Sequence, residues 1–186
     1  LIHRDLKPHN ILITSNNILK ICDFGFVKES NENMLYDTLC GSPIYMAPEI
    51  LKYKKYDSKV DLWSMGIILF EMLTSKPPFI GANHIDLIRV IDSTELSIPN
   101  DIIISDNCFH LLKSLIVVDS QNRISFDNFF KHSFFDNYNF TTSIEEEEKL
   151  SITPIENYIK IENKYHVSSE IEIVLNYKIY IESIYR

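Results

Sequence analysis

Between Asp57 and Pro78 the sequence leaves few structural options. Val60 to Leu73 is almost entirely apolar. Asp57 or Ser58 supplies an N-cap ahead of it, and Pro77-Pro78 bars continuation beyond it. A helix with apolar residues on all sides has to be enclosed by other elements of the same domain. It is not a membrane span, because no apolar run in the chain reaches the roughly 18–20 residues that a bilayer requires. With 186 residues, 45% hydrophobic and 24% charged, the chain has material for one sizeable core around that helix.

Shorter elements surround it. Ile85 to Ile91 and Phe109 to Val118 read as amphipathic helices, and Ser125 to Lys131 as a third, capped by Ser125. Residues 1–22 read as a loop followed by a small hairpin. Its strands would be Ile11-Leu12-Ile13 and Ile18-Leu19-Lys20-Ile21, and Ser15-Asn16-Asn17 would supply the turn. Residues 23–50 lack periodicity and contain Gly25, Gly41, Pro43 and Pro48, which is the profile of a functional loop or of disorder. Past about residue 138 the character changes. Glu145 to Glu148 is a charge run suited to a solvated linker, and Ile171 to Glu182 alternates in strand fashion without suggesting a function.

The formal charge of −8 argues against a general nucleic-acid binder. Cys22, Cys40 and Cys108 are scattered and odd in number, so no disulfide framework is expected and a reducing, cytoplasmic setting is the default. The chain opens Leu1-Ile2-His3-Arg4, with no initiator Met and no signal-peptide pattern, and is expected to be a piece of a longer product.

The chemistry is concentrated near the start. His3-Arg4-Asp5-Leu6-Lys7-Pro8-His9-Asn10 matches the catalytic-loop pattern H-R-D-L-x-x-x-N of protein kinases, and Asp23-Phe24-Gly25 and Ala47-Pro48-Glu49 follow in the kinase order. Taken singly, Asp5 or Asp23 would read as a turn or cap residue and Asn10 as a loop residue. The ordered set reverses that reading. Phosphoryl transfer calls for positioning and charge neutralisation more than covalent chemistry. Asp5 suits the acceptor of the substrate hydroxyl proton. Asn10 and Asp23 suit the oxygen ligands of Mg²⁺.

These motifs resemble a eukaryotic protein kinase, and the resemblance covers about residues 1–136. It implies a mainly α, kinase-like C-terminal lobe with a small β-hairpin at the catalytic loop. ATP and Mg²⁺ are the implied cofactors, and protein substrates the implied partners. On the same resemblance Lys7 reaches the transferring phosphate, and Leu12 joins Lys7, Asn10 and Asp23 at the nucleotide. Lys7, with Gly41-Ser42-Pro43 ahead of Ala47-Pro48-Glu49, points to serine/threonine specificity, and Ser42 holds the substrate loop. His3 is expected to pack against Phe24 rather than act as a base. Asp61 resembles the helix-borne carboxylate that binds the catalytic-loop backbone, and Glu49 and Arg123 resemble an ion pair at the end of the activation segment. Thr38 occupies the position of an activating phosphosite read by Arg4; Asp37 or Glu32 is the unphosphorylated alternative partner for Arg4. The other histidines, 9, 84, 110, 132 and 166, show no metal-ligand spacing and read as structural or exposed.

Narrower features are similar to the autophagy-initiating serine/threonine kinases: TLCGSPIYMAPEIL at 38–51, DSKVDLWSMGIILFEMLT at 57–74, KPPFIGANHIDLIRVI at 76–91 and Arg123-Ile124-Ser125-Phe126. This implies work in the cytoplasm or at autophagosome-forming membranes, with regulatory subunits bound through other regions. One departure is large. The four glycines (25, 41, 66 and 81) are isolated, so the 186 residues contain no G-x-G-x-x-G loop, and no Val-Ala-Ile-Lys strand is present. The expectation is a kinase lower lobe at 1–136, an acidic linker and tail at 137–186, and an absent N-terminal lobe. Three readings remain open: the catalytic part of an autophagy-initiating kinase, that of a serine/threonine kinase of another family, or a lobe that docks partners without transferring phosphate.

Overall fold

A computed structural model describes residues 2–14, 19–27, 42–136 and 152–154. The described residues are about half helical, with one small antiparallel sheet. Strand β1 (Ile11–Thr14) pairs with β2 (Leu19–Ile21), setting Ile11 opposite Ile21 and Ile13 opposite Leu19. Alternation along β1 buries Ile11 and Ile13 and leaves Leu12 half-buried on the other face. A third strand, β3 (Ile152–Pro154), adds to the outer edge of β1 with Leu12 opposite Pro154. Nothing in the local sequence marks that strand; the strand-like stretch at 171–182 lies outside the described residues.

Helix α1 (Pro48–Leu51) leads to α2 (Lys59–Thr74), which is the enclosed helix that its sequence requires: every residue from Val60 to Phe70 is buried. Of the two candidate caps, Asp57 is the one whose side chain acts, accepting from the Lys59 amide at 2.8 Å. Ser75 ends the helix in the left-handed region at φ 61°. Helix α3 spans His84–Ser93, and the Asn83 side chain caps it through the Asp86 amide. Helix α4 spans Asp106–Leu115, capped by Ser105, and α5 spans Phe126–Phe130, capped by Ser125. α4 starts and stops three residues before the sequence suggests. Ile116 leaves helical geometry, and the Val117 carbonyl turns to accept from Arg123 Nε at 3.1 Å and Nη2 at 3.0 Å.

Leu111, Leu112 and Leu115 of α4 are buried along with α2. Gly66 sits at that contact. A Cβ there would lie 2.8 Å from Ile116 Cγ1 and 2.9 Å from Leu115 Cβ, so the close approach of α4 depends on the missing side chain. Phe129, Phe130, Phe134 and Phe135 close the lower end in edge-to-face contacts, with Phe129 and Phe135 at 5.3 Å between ring centres.

Candidate active site

Asp61 lies in the first turn of α2, fully buried. Its two carboxylate oxygens accept from the backbone amides of His3 at 2.8 Å and Arg4 at 3.0 Å. The segment between Ile2 and Asn10 is thereby tied to the core helix 57 residues away in sequence, and Arg4 is held in the left-handed region at φ 71°. His3 completes the tie. Its Nδ1 accepts from the Asp5 amide at 3.4 Å and its Nε2 donates to the Cys22 carbonyl at 3.3 Å, an arrangement that one neutral tautomer satisfies. Its ring meets Phe24 edge-on, with 5.4 Å between centres. His3 is therefore a brace between the loop and the residues after β2.

With that backbone fixed, the Asp5 side chain points into a small polar cluster. Lys7 Nζ donates to Asp5 Oδ2 at 2.7 Å, and Asn10 Nδ2 to the same oxygen at 3.0 Å. Asn10 Nδ2 also donates to the Asp5 carbonyl at 2.8 Å. The Ser42 amide, 37 residues on, donates to Asp5 Oδ1 at 3.3 Å. Asp5 is buried while Lys7 keeps part of its side chain in solvent. Three donors converge on this carboxylate and hold it in one orientation.

Asn10 and Cys22, the residue before Asp23, are linked across the base of the hairpin, where the Cys22 amide donates to the Asn10 carbonyl at 2.9 Å. Because Asn10 uses its Nδ2 on Asp5, its side-chain oxygen is left for another partner. Asp23 is exposed and left-handed at φ 64°, with one oxygen accepting from the Gly25 amide at 3.3 Å. One amide oxygen and one exposed carboxylate fit Mg²⁺, a hard cation that takes few protein oxygens and completes its shell with phosphate and water. Burial, and then the adjacent Asp23 charge, push the Cys22 thiol up, so it stands neutral beside these groups.

Arg4 Nε donates to the Phe26 carbonyl at the start of the segment that contains Thr38, which itself lies outside the described residues. Glu49 and Arg123 meet away from the Asp5 cluster in a bidentate pair at 2.7 and 3.0 Å, buried on both sides. Arg123 Nη1 also donates to the Lys59 carbonyl at 2.9 Å, and its guanidinium carbon stands 5.2 Å from the Trp63 ring.

Two further arrangements have no signal in the sequence. Lys59 Nζ donates to the carbonyls of Ser120 and Arg123 at 3.0 Å, fixing the loop that presents Arg123. The Tyr45 hydroxyl donates to Glu71 at 2.7 Å and Ser64 Oγ to the Tyr45 carbonyl at 2.8 Å, fastening the turn after Ser42 to α2. Their partners lie 19–64 residues apart, and isolated Lys, Tyr and Ser residues carry no pattern.

Residues 1–135 match the protein kinase domain family. The chain belongs to that family. Its relatives include the serine/threonine-protein kinases ATG1a and ATG1c of Arabidopsis thaliana, 48% identical over 139 residues and 45% over 151. Serine/threonine-protein kinase atg1 of Dictyostelium discoideum is 45% identical over 137 residues. The matches cover 72%, 77% and 72% of this kinase-family chain but only 22%, 21% and 20% of the respective relatives, so the chain spans about a fifth of their length. Among the described residues, no helix is long and apolar enough to cross a membrane.

Proposed function

We propose that these residues are the catalytic-loop portion of an ATP- and Mg²⁺-dependent serine/threonine protein kinase that acts on protein substrates in autophagy initiation. One observation carries the reading: the Asp5 carboxylate is gathered by Lys7, Asn10 and the Ser42 amide. In this role Asp5 accepts the hydrogen bond of a substrate hydroxyl and takes its proton as the phosphoryl group arrives. Lys7, poised on Asp5 and partly in solvent, moves its charge to the phosphoryl oxygens. Asn10 and Asp23 would hold Mg²⁺, which would supply charge neutralisation at the phosphates, and Leu12 would line the nucleotide site. Ser42 sets the substrate loop against Asp5. The relatives' names support the serine/threonine class and the autophagy setting. Regulatory subunits and membrane recruitment belong to other parts of the protein.

Because the 186 residues contain only four isolated glycines and no phosphate-covering loop, we infer that this polypeptide by itself transfers phosphate negligibly. Fusing a kinase upper lobe ahead of Leu1 is expected to give turnover in the range of about 1–100 s⁻¹. Asp5→Asn in that fusion is expected to lower kcat by about 10²–10⁴-fold. Full kcat in the Asp5→Asn fusion would refute the role of Asp5, and ordinary turnover by residues 1–186 alone would refute the need for the added lobe.

Regulation in this reading runs through Arg4. A phosphate on Thr38 brings about −1.5 to −2 charges and three acceptor oxygens, which a guanidinium meets with parallel charge-assisted bonds. Arg4 adjoins Asp5 and already contacts the start of the segment at Phe26. In the active fusion, Thr38→Ala and Arg4→Ala should each lower activity, and the double variant should be little worse than either. Active enzyme with unmodified Thr38 would make Asp37 or Glu32 the better partner.

A further inference from the structure

At the lower end of the molecule, far in sequence from the Asp5 cluster, two histidines make a contact that the proposed reaction does not use. His132 is buried and precedes the turn Ser133–Phe135. Its Nδ1 accepts from the Phe134 amide at 3.1 Å, capping that turn. Its Nε2 lies 2.7 Å from Nδ1 of His110, on the exposed side of α4, and the two rings stack with 5.0 Å between centres. These contacts fix both tautomers. Accepting from a backbone N–H leaves His132 Nδ1 without hydrogen, so its proton sits on Nε2 and is donated to His110. His110 Nδ1 is then the bare acceptor and carries its own proton on Nε2.

We propose that His110 and His132 form an acid-released latch, which fastens the turn Ser133–Phe135 and its buried aromatic rings to α4 only while both imidazoles are neutral. A second proton has no place in this geometry. Added to His132 it lands on Nδ1 and confronts the Phe134 N–H. Added to His110 it lands on Nδ1 and confronts the His132 N–H, which can yield only by the tautomer change that removes the cap. The turn positions Phe134 and Phe135, and Phe135 packs on Phe129 of α5. A second tie between α4 and the turn, the Ser133 hydroxyl to Asn107 at 3.3 Å, is exposed.

Burial is the largest influence and holds the His132 imidazole below its ordinary range of 6.5; the neighbouring His110 acts in the same direction, and Asp136 opposes both. Of the remaining charged side chains on the packed elements, Lys113 of α4 is turned onto the Phe109 ring at 4.6 Å, while Asp106 of α4, Asp127 of α5 and Lys131 stand exposed. A histidine whose folded-state pKa lies below its unfolded value contributes fully above pH 6.5. That contribution shrinks as the pH falls from 6.5 toward the folded-state value.

The test uses the whole 186-residue chain. Imidazole ¹H–¹⁵N spectra should show His132 as the Nε2–H tautomer with a titration midpoint below 6.5. The thermal midpoint of the wild type should fall between pH 7.5 and 5.5 by about 2–4 °C more than that of His132→Asn, whose amide oxygen can cap the turn without titrating. His110→Gln should likewise flatten the profile, and it provides the comparison if His132→Asn does not fold. An Nδ1–H tautomer, a His132 midpoint at or above 6.5, or parallel pH profiles for wild type and variants would overturn the latch.

Discussion

Two of the carboxylate–cation pairs among the described residues are built on opposite plans. Asp5 and Lys7 are two residues apart on one loop, 2.7 Å from each other, with 20% of the Lys7 side chain in solvent. Glu49 and Arg123 are 74 residues apart and bidentate, with 0% of the Arg123 side chain exposed. The first pair is local, single-pronged and wet on one side, so either partner can be lent to a ligand at little cost. The second joins α1 to the loop before α5, and the Arg123 donors that do not reach Glu49 are taken up by the Val117 and Lys59 carbonyls. Such a charge cannot change partners without stranding several buried groups. In the proposed reaction, the difference separates a site that must exchange contacts from a frame that must not.

The sharpest way to break that contrast is Arg123→Ala. It leaves the Glu49 carboxylate buried without its partner and orphans the Val117 carbonyl, so the chain should lose about 3–5 kcal/mol. Urea denaturation followed by circular dichroism measures this. An unchanged midpoint would mean that the clamp is as dispensable as a surface pair.

A smaller effect tests whether the frame is rigid apart from its charges. Gly66→Ala puts a methyl group within 2.9 Å of Leu115 and Ile116. Overpacking of this kind costs about 1–3 kcal/mol. Alanine returns about 0.8–1.0 kcal/mol in helix propensity. A net loss of about 1 kcal/mol is expected by the same denaturation measurement. Net stabilisation would show that α4 can move off α2, and that the frame yields where it carries no charge.

How much of this was legible beforehand follows from the range of each interaction. His3, Asp5, Lys7, Asn10 and Asp23 lie within 21 residues, and their spacing reads directly as a pattern. α2 was legible because its burial is written into every position from Val60 to Phe70. The start of α4 was not, because its first turn, Asp106-Asn107, is polar and looks like loop. Its end was hidden too, since the helix stops at Leu115 so that Val117 can serve Arg123. The third strand, the Lys59 ties and the histidine contact depend on segments that meet only after folding. Binary pattern and capping chemistry say nothing of such meetings.

The smallest stability effect is expected at Lys7, and it carries the comparison furthest. Lys7→Ala removes one donor from Asp5 but leaves Asn10 Nδ2 on the same oxygen and the Ser42 amide on the other. Asp5 therefore keeps partners for both oxygens. The Lys7 ammonium was partly hydrated already, and partly exposed pairs of this kind contribute about 0.2–1 kcal/mol. The denaturation midpoint of residues 1–186 should hardly move. Phosphoryl transfer should respond quite differently. In a fusion carrying an upper lobe, losing one group aimed at the developing charge should lower kcat by about 10²–10³-fold. Arg123→Ala, assayed in the same fusion well below its own unfolding midpoint, should retain more of its kcat than Lys7→Ala. The two variants then exchange rank between the stability measurement and the rate measurement. If Lys7→Ala instead unfolded as readily as Arg123→Ala, Lys7 would belong to the frame, and the distinction between the lent and the locked ion pair would fail.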